Sequence, residues 1–79
     1  MKARVIVTLK SGVLDPQGKA IEGALKGLSV DGLKSVRQGK VFDIELDLED
    51  RAAARSRLSE ACERLLANTI VENYAIEIA

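Results

Sequence analysis

The chain has 79 residues, with 12 Lys plus Arg balanced by 12 Asp plus Glu, one cysteine, and neither histidine nor tryptophan. Zero net charge gives no broad attraction to nucleic acid or anionic lipid, and without imidazole there is no Ser–His or Cys–His arrangement and little to hold zinc. The length allows a single domain, residues 1–79, that buries only about 60–65% of the surface of its unfolded chain; with no disulfide framework to compensate, oligomerisation is the expected support.

From the N-terminus, Ala3, Val5, Val7 and Leu9 alternate with Arg4, Ile6 and Thr8, which predicts a strand over Lys2–Leu9 with the first set facing the core. This opening lacks the form of a secretory signal, and no apolar run reaches membrane-spanning length. With the single cysteine, a reducing cytoplasm is the expected location.

The junction that follows switches the chain from strand to helix. Gly12 permits a sharp turn, Asp15 is placed to cap backbone N–H groups, and Pro16 sits where its fixed φ suits a first helical turn. Ala20, Ile21, Ala24, Leu25 and Leu28 then recur at helical spacing, predicting a helix over Pro16–Leu28 with Lys19, Glu22 and Lys26 on its solvated side. Gly23 and Gly27 lie one turn apart on its flank, which reads either as a helix of modest intrinsic stability or as a smooth stripe for a close neighbour.

Val30-Asp31-Gly32 reads as a turn, followed by a short second strand over Leu33–Arg37 and a hairpin tip at Gln38-Gly39. Leu33 and Val36 have opposite parity, so one points away from the helices or a bulge intervenes. The third strand is clearer: Phe42, Ile44, Leu46 and Leu48 alternate with Asp43, Glu45, Asp47 and Glu49. A second helix is predicted from Asp50 to Ala67, burying Leu58, Ala61, Cys62, Leu65 and Leu66, with Asn68 ending it in a left-handed conformation. A last strand, Asn73–Ile78, turns Tyr74, Ile76 and Ile78 inward.

This order, β-α-β-β-α-β, predicts an α+β, ferredoxin-like fold: two helices on one face of a four-stranded antiparallel sheet. The bare face then carries Arg4, Ile6, Thr8, Val41, Asp43, Glu45, Ala75 and Glu77, a mixture suited to a subunit contact.

Motifs with possible chemistry resolve to structural roles. Gly12 to Gly18-Lys19 has the wrong spacing for a phosphate loop, and Ala20 stands in place of its hydroxyl residue. The only aromatics, Phe42 and Tyr74, have core parity, so the sheet offers no stacking platform for RNA. The acidic row from Asp43 to Asp50 reads as a solvated face or a set of salt-bridge partners rather than a loop of converging ligands. Cys62 falls in an apolar stripe and reads as a small core residue.

The stretch GVLDPQGKAI at Gly12–Ile21, with Val36-Arg37, Gly39-Lys40, Leu65-Leu66-Ala67-Asn68, Glu72 and Tyr74, resembles the PurS family nearly end to end. PurS is the small subunit of formylglycinamidine ribonucleotide synthase, a glutamine-dependent ligase of purine biosynthesis. Ser29 stands where the family often has glycine, and Thr69 where proline is common. The resemblance implies a subunit that is itself dimeric or of higher order and joins a glutaminase subunit to a large synthetase subunit, helping ammonia pass between them. ATP and Mg are then expected on the large partner, with no catalytic, cofactor-binding or metal residue in this chain. The implied subunit-contact residues are Gln17, Arg37, Lys40 and Asn68. An alternative with the same element order is an ACT-type small-molecule-sensing domain.

Overall fold

Strand β1 (Lys2–Leu9) lies at the centre of a three-stranded antiparallel sheet, between β2 (Gly39–Glu45) and β3 (Glu72–Ile78), in a computed structural model that describes residues 1–79. Central position follows from its side chains. Val5 and Val7 are fully buried, and their branched Cβ atoms suit a pleated, covered surface. Val5 stands opposite Phe42 on one side and Ile76 on the other. On the outer face Arg4 lies between Asp43 and Glu77, and Ile6 between Val41 and Ala75, as the alternation predicts.

Helix α2 (Arg51–Ala61) begins at Asp50, whose carboxylate accepts the N–H of Ala52 at 2.9 Å. It continues into a wider, π-helical turn over Cys62–Leu66. Val5, Val7, Cys62 and Ala67 form the core, with Phe42, Ile44, Leu66, Tyr74 and Ile76 packed around it. Burying each large side chain contributes about 1.5–3 kcal/mol, and only ten residues in the chain are buried. The core is therefore small. The π turn also corrects the predicted stripe: it shifts the helical phase, so Leu65 is 84% exposed, while Ala54, one regular turn before Leu58, lies inside.

The expected second strand is absent. Leu33 to Arg37 is irregular and pairs with no strand, and Gln38-Gly39 is not a hairpin tip: Gly39 opens β2 directly. The expected fourth strand thus continues β2 past the end of β1. Its backbone finds other partners. The carboxylate of Glu22 accepts the N–H of Val36 at 3.1 Å, and Asp15 accepts that of Gln38 at 2.6 Å. Both carboxylates belong to the stripe of helix α1 (Pro16–Gly27) and its cap.

Helix α1 does not cover the sheet in the way the element order predicts. No residue of α1 enters the core, and Ile21 and Leu28 are exposed. Helix and irregular segment instead form an arm beyond the end of the sheet, giving an overall size of 47 × 25 × 15 Å and a radius of gyration of 15.8 Å. A compact chain of this length would have about 12 Å. Gly23 and Gly27 face open space, so no neighbour within this chain uses the smooth flank.

Candidate subunit-contact site

The C-terminal end of β1, the starts of β2 and β3, the N-terminus of α1 and the end of the π turn all meet at one end of the sheet. The four residues singled out from the sequence fall here. Gln17 and Lys40 line a small pocket of about 170 Å³ with Val7, Leu9, Asp15, Gln38, Gly39 and Glu72. Lys40 Nζ lies 3.8 Å from Glu72 Oε2, and the backbone N–H of Asn68 donates to Glu72 Oε1 at 2.6 Å. Glu72 therefore joins Lys40 to Asn68.

Arg37 lies across the pocket's loop. Its guanidinium donates to the carbonyl oxygens of Val13 at 2.9 Å and Lys10 at 3.2 Å, fastening the irregular segment to the loop before α1. Asn68 does not adopt the expected left-handed conformation, since Ser29 is the only non-glycine residue with positive φ. Its side-chain oxygen instead accepts the N–H of Ile70 at 3.2 Å, a short turn that redirects the chain into β3.

Local sequence explains the placement. Asp15 caps α1 by accepting the N–H of Gly18 at 2.9 Å, as the Asp-Pro pair predicts, and its second oxygen takes the N–H of Gln38. The Gln38 N–H first, then that of Gly18, holds the Asp15 carboxyl below its ordinary value of 3.8. Glu22 was expected on the solvated side but is only 9% exposed. The Val36 N–H, then Lys26 at 3.3 Å, holds its carboxyl below the ordinary 4.5.

Glu22 and Glu72 are the two site residues that sequence reasoning missed. A signal for the first existed: Asp15, Gly18 and Glu22 follow at helical spacing, and a bare Gly18 between two carboxylates marks a backbone approach. A Cβ at Gly18 would stand 2.7 Å from the carbonyl oxygen of Val36.

The surroundings of the site are largely exposed. Leu14, Leu65 and Ile70 are strongly exposed at this same end, Leu65 and Ile70 at 84% each. Cys62 is fully buried, and burial pushes its thiol up, away from the reactive thiolate. Asp43 and Glu45 stand in a row along β2, and no three carboxylate or thiol groups converge anywhere. No helix is long and apolar enough to cross a membrane.

These features define a small α+β protein with exposed side chains around one end of its sheet and a helical arm that the sheet does not cover. The family model described as PurS, phosphoribosylformylglycinamidine (FGAM) synthase, matches residues 2–79, and the chain belongs to this family. It is 45% identical over 75 residues to the PurS subunit of Synechocystis sp., across 95% of this chain and 75% of that protein. It is 40% identical to the Bacillus subtilis PurS subunit, across 98% and 90% of the two chains. Among solved structures, Methanocaldococcus jannaschii PurS superposes with a TM-score of 0.85 at 38% identity, covering 96% of this chain and 92% of that one. A chain of PurLQS from Thermotoga maritima gives 0.88 at 34% identity, covering 96% and 93%. Of the two readings open from the sequence, the family match selects PurS over an ACT-type domain.

Proposed function

We propose that this chain is the non-catalytic bridging subunit of an FGAM synthase complex in cytoplasmic purine biosynthesis, joining a glutaminase subunit to a large synthetase subunit. The partners carry the chemistry: the glutaminase releases ammonia from glutamine, and the synthetase uses ATP with Mg to activate the amide oxygen that ammonia displaces. This chain holds the two together, associates with itself, and helps keep ammonia on a protected path, where it neither diffuses away nor becomes the non-nucleophilic ammonium ion. The PurLQS structure of the Thermotoga relative supports a place among such subunits.

One observation carries the reading: Gln17, Lys40 and, through Glu72, Asn68 meet at one sheet end with Arg37 fastened beside them, and Leu14, Leu65 and Ile70, within three residues of Gln17 or Asn68 in the chain, are strongly exposed. Apolar side chains ringed by amides and charges, with no acid–base pair among them, have the make-up of a contact surface. Self-association answers the small core and the exposed arm.

The test is reconstitution of glutamine-dependent FGAM formation from the glutaminase and synthetase subunits with and without this chain. Dependence on the chain is expected; full glutamine-dependent activity without it would remove the bridging role. Gln17→Ala and Arg37→Ala are expected to fold and to weaken assembly, visible as loss of the complex peak in size-exclusion chromatography. An unchanged elution profile with both partners present would count against them as contact residues.

A further inference from the structure

Glu72 stands where the pattern of β3 calls for an apolar side chain. The alternation that turns Tyr74 and Ile76 onto the core turns Glu72 to the same side, and its side chain is only 13% exposed. A carboxylate held there costs stability unless it is paired and hydrogen-bonded. Both conditions are met. Lys40 reaches across β1 to bring its Nζ within 3.8 Å of Oε2, and the Asn68 N–H donates to Oε1 at 2.6 Å.

The bond from Asn68 has a counterpart running the other way. The Glu72 N–H donates to Asn68 O at 2.7 Å, and the Val71 N–H donates to the same oxygen at 3.0 Å. Side chain and backbone of Glu72 thus both close on Asn68, whose own side chain takes the Ile70 N–H at 3.2 Å. Just past β1, the Lys10 N–H donates to Val71 O at 2.8 Å and ties the loop to the sheet. From Asn68 to Glu72 only the Thr69 N–H lacks an acceptor. A loop fastened at this many points displays, in one conformation, an Ile70 side chain that is 84% exposed. Such a loop adds little ordering cost to a contact made through it.

We infer that Glu72 is a positioning residue of the subunit contact, an assignment that rests on the contact reading proposed above. It acts through Asn68: the carboxylate holds the Asn68–Glu72 loop in its bound shape before a partner subunit arrives, with Ile70 as the apolar anchor. Through its second oxygen it sets Lys40 beside that loop.

The test pairs amide hydrogen exchange on the isolated chain with reconstituted glutamine-dependent FGAM formation. In the unaltered chain the Asn68 amide is expected to exchange slowly. Glu72→Ala removes both bonds of the carboxylate. It is expected to free that amide and to raise the concentration of chain giving half-maximal rate about tenfold, the size that ordering one further residue on binding implies. The maximal rate at saturating chain is expected to hold. Glu72→Gln keeps a carbonyl oxygen for the Asn68 N–H and is expected to restore most of both readouts, since an ion pair with an exposed lysine contributes little. Circular dichroism sets a working temperature at which every variant is folded. A freely exchanging Asn68 amide in the unaltered chain would overturn the clamp. A freed amide in Glu72→Ala with unchanged half-saturation, while Ile70→Asp raises it, would overturn the positioning role and leave the contact standing. Unchanged half-saturation in both variants would overturn the contact, and the positioning role with it.

Discussion

Glu22 accepts the backbone N–H of Val36, fourteen residues away, at 3.1 Å, and so fixes the segment before β2 to a helix instead of to a sheet. Asp15 does the same for Gln38. The arm is built on these two carboxylates, with Lys19 at 3.7 Å and Lys26 at 3.3 Å from Glu22 and Arg37 near Asp15.

A pH dependence follows. Both carboxyl groups are held below their ordinary values of 3.8 and 4.5 by the hydrogen bonds they accept. Groups with depressed folded values contribute stability above those ordinary values and lose it as pH falls through the folded ones. Protection of the Val36 and Gln38 amides should therefore be full near neutrality and disappear below the ordinary carboxyl range. Glu22→Gln keeps an acceptor but removes the charge, so it should flatten the Val36 profile and leave that of Gln38 in place. Protection at Val36 that ignores pH in the unaltered chain would refute the Glu22 tie.

Gly18 should resist replacement although it lies in a helix. Alanine there gains about 0.5–1 kcal/mol of helix propensity. Its Cβ would stand 2.7 Å from Val36 O, a backbone atom that gives way only if the segment moves off the helix. Overpacking of this kind costs about 1–3 kcal/mol. Gly18→Ala is expected to lower the melting temperature and speed exchange at Val36; a raised melting temperature would mean that helix propensity dominates.

Ser29 invites the opposite change. It follows the last turn of α1 with φ of 59°, the left-handed region that costs a side-chain-bearing residue about 1–2 kcal/mol. Glycine removes that cost but gives back about 0.5–1 kcal/mol through its freer unfolded chain. Ser29→Gly is expected to stabilise by about 0.5–1 kcal/mol, raising the melting temperature by a few degrees. Thermal unfolding followed by circular dichroism reads this directly, and no gain would contradict the strain.

These sites mark where the sequence was legible. Local rules placed β1, α1, α2 and β3 within a few residues, because alternation in Ala3–Leu9 and the Asp15-Pro16 cap are decided by neighbours in the chain. The second strand expected over Leu33–Arg37 was not legible as the irregular segment it is. Whether such a segment joins its own sheet depends on contacts distant in sequence, and here Glu22 and Asp15 take the N–H groups. Glu22 was misread because i,i+4 spacing with Lys26 describes a solvated face equally well. Leu65 was misassigned because a π turn changes the helical phase without a compositional sign.

Leu65 and Ile70 give the sharpest test of the contact surface. Both are 84% exposed and touch little of their own chain, so their loss should change stability by no more than about 0.5 kcal/mol. Between them Asn68 closes its short turn through Ile70 N–H and binds Glu72, which holds Lys40. A charge at either apolar position would have to be desolvated in any contact made there. Leu65→Asp and Ile70→Asp are each expected to keep the melting temperature within a few degrees and to weaken assembly with the glutaminase and synthetase subunits at least about tenfold, equivalent to about 1.4 kcal/mol. Titrating the variant into the two partners and following glutamine-dependent product measures this. Unchanged half-saturation for both variants would move the contact away from this end of the sheet.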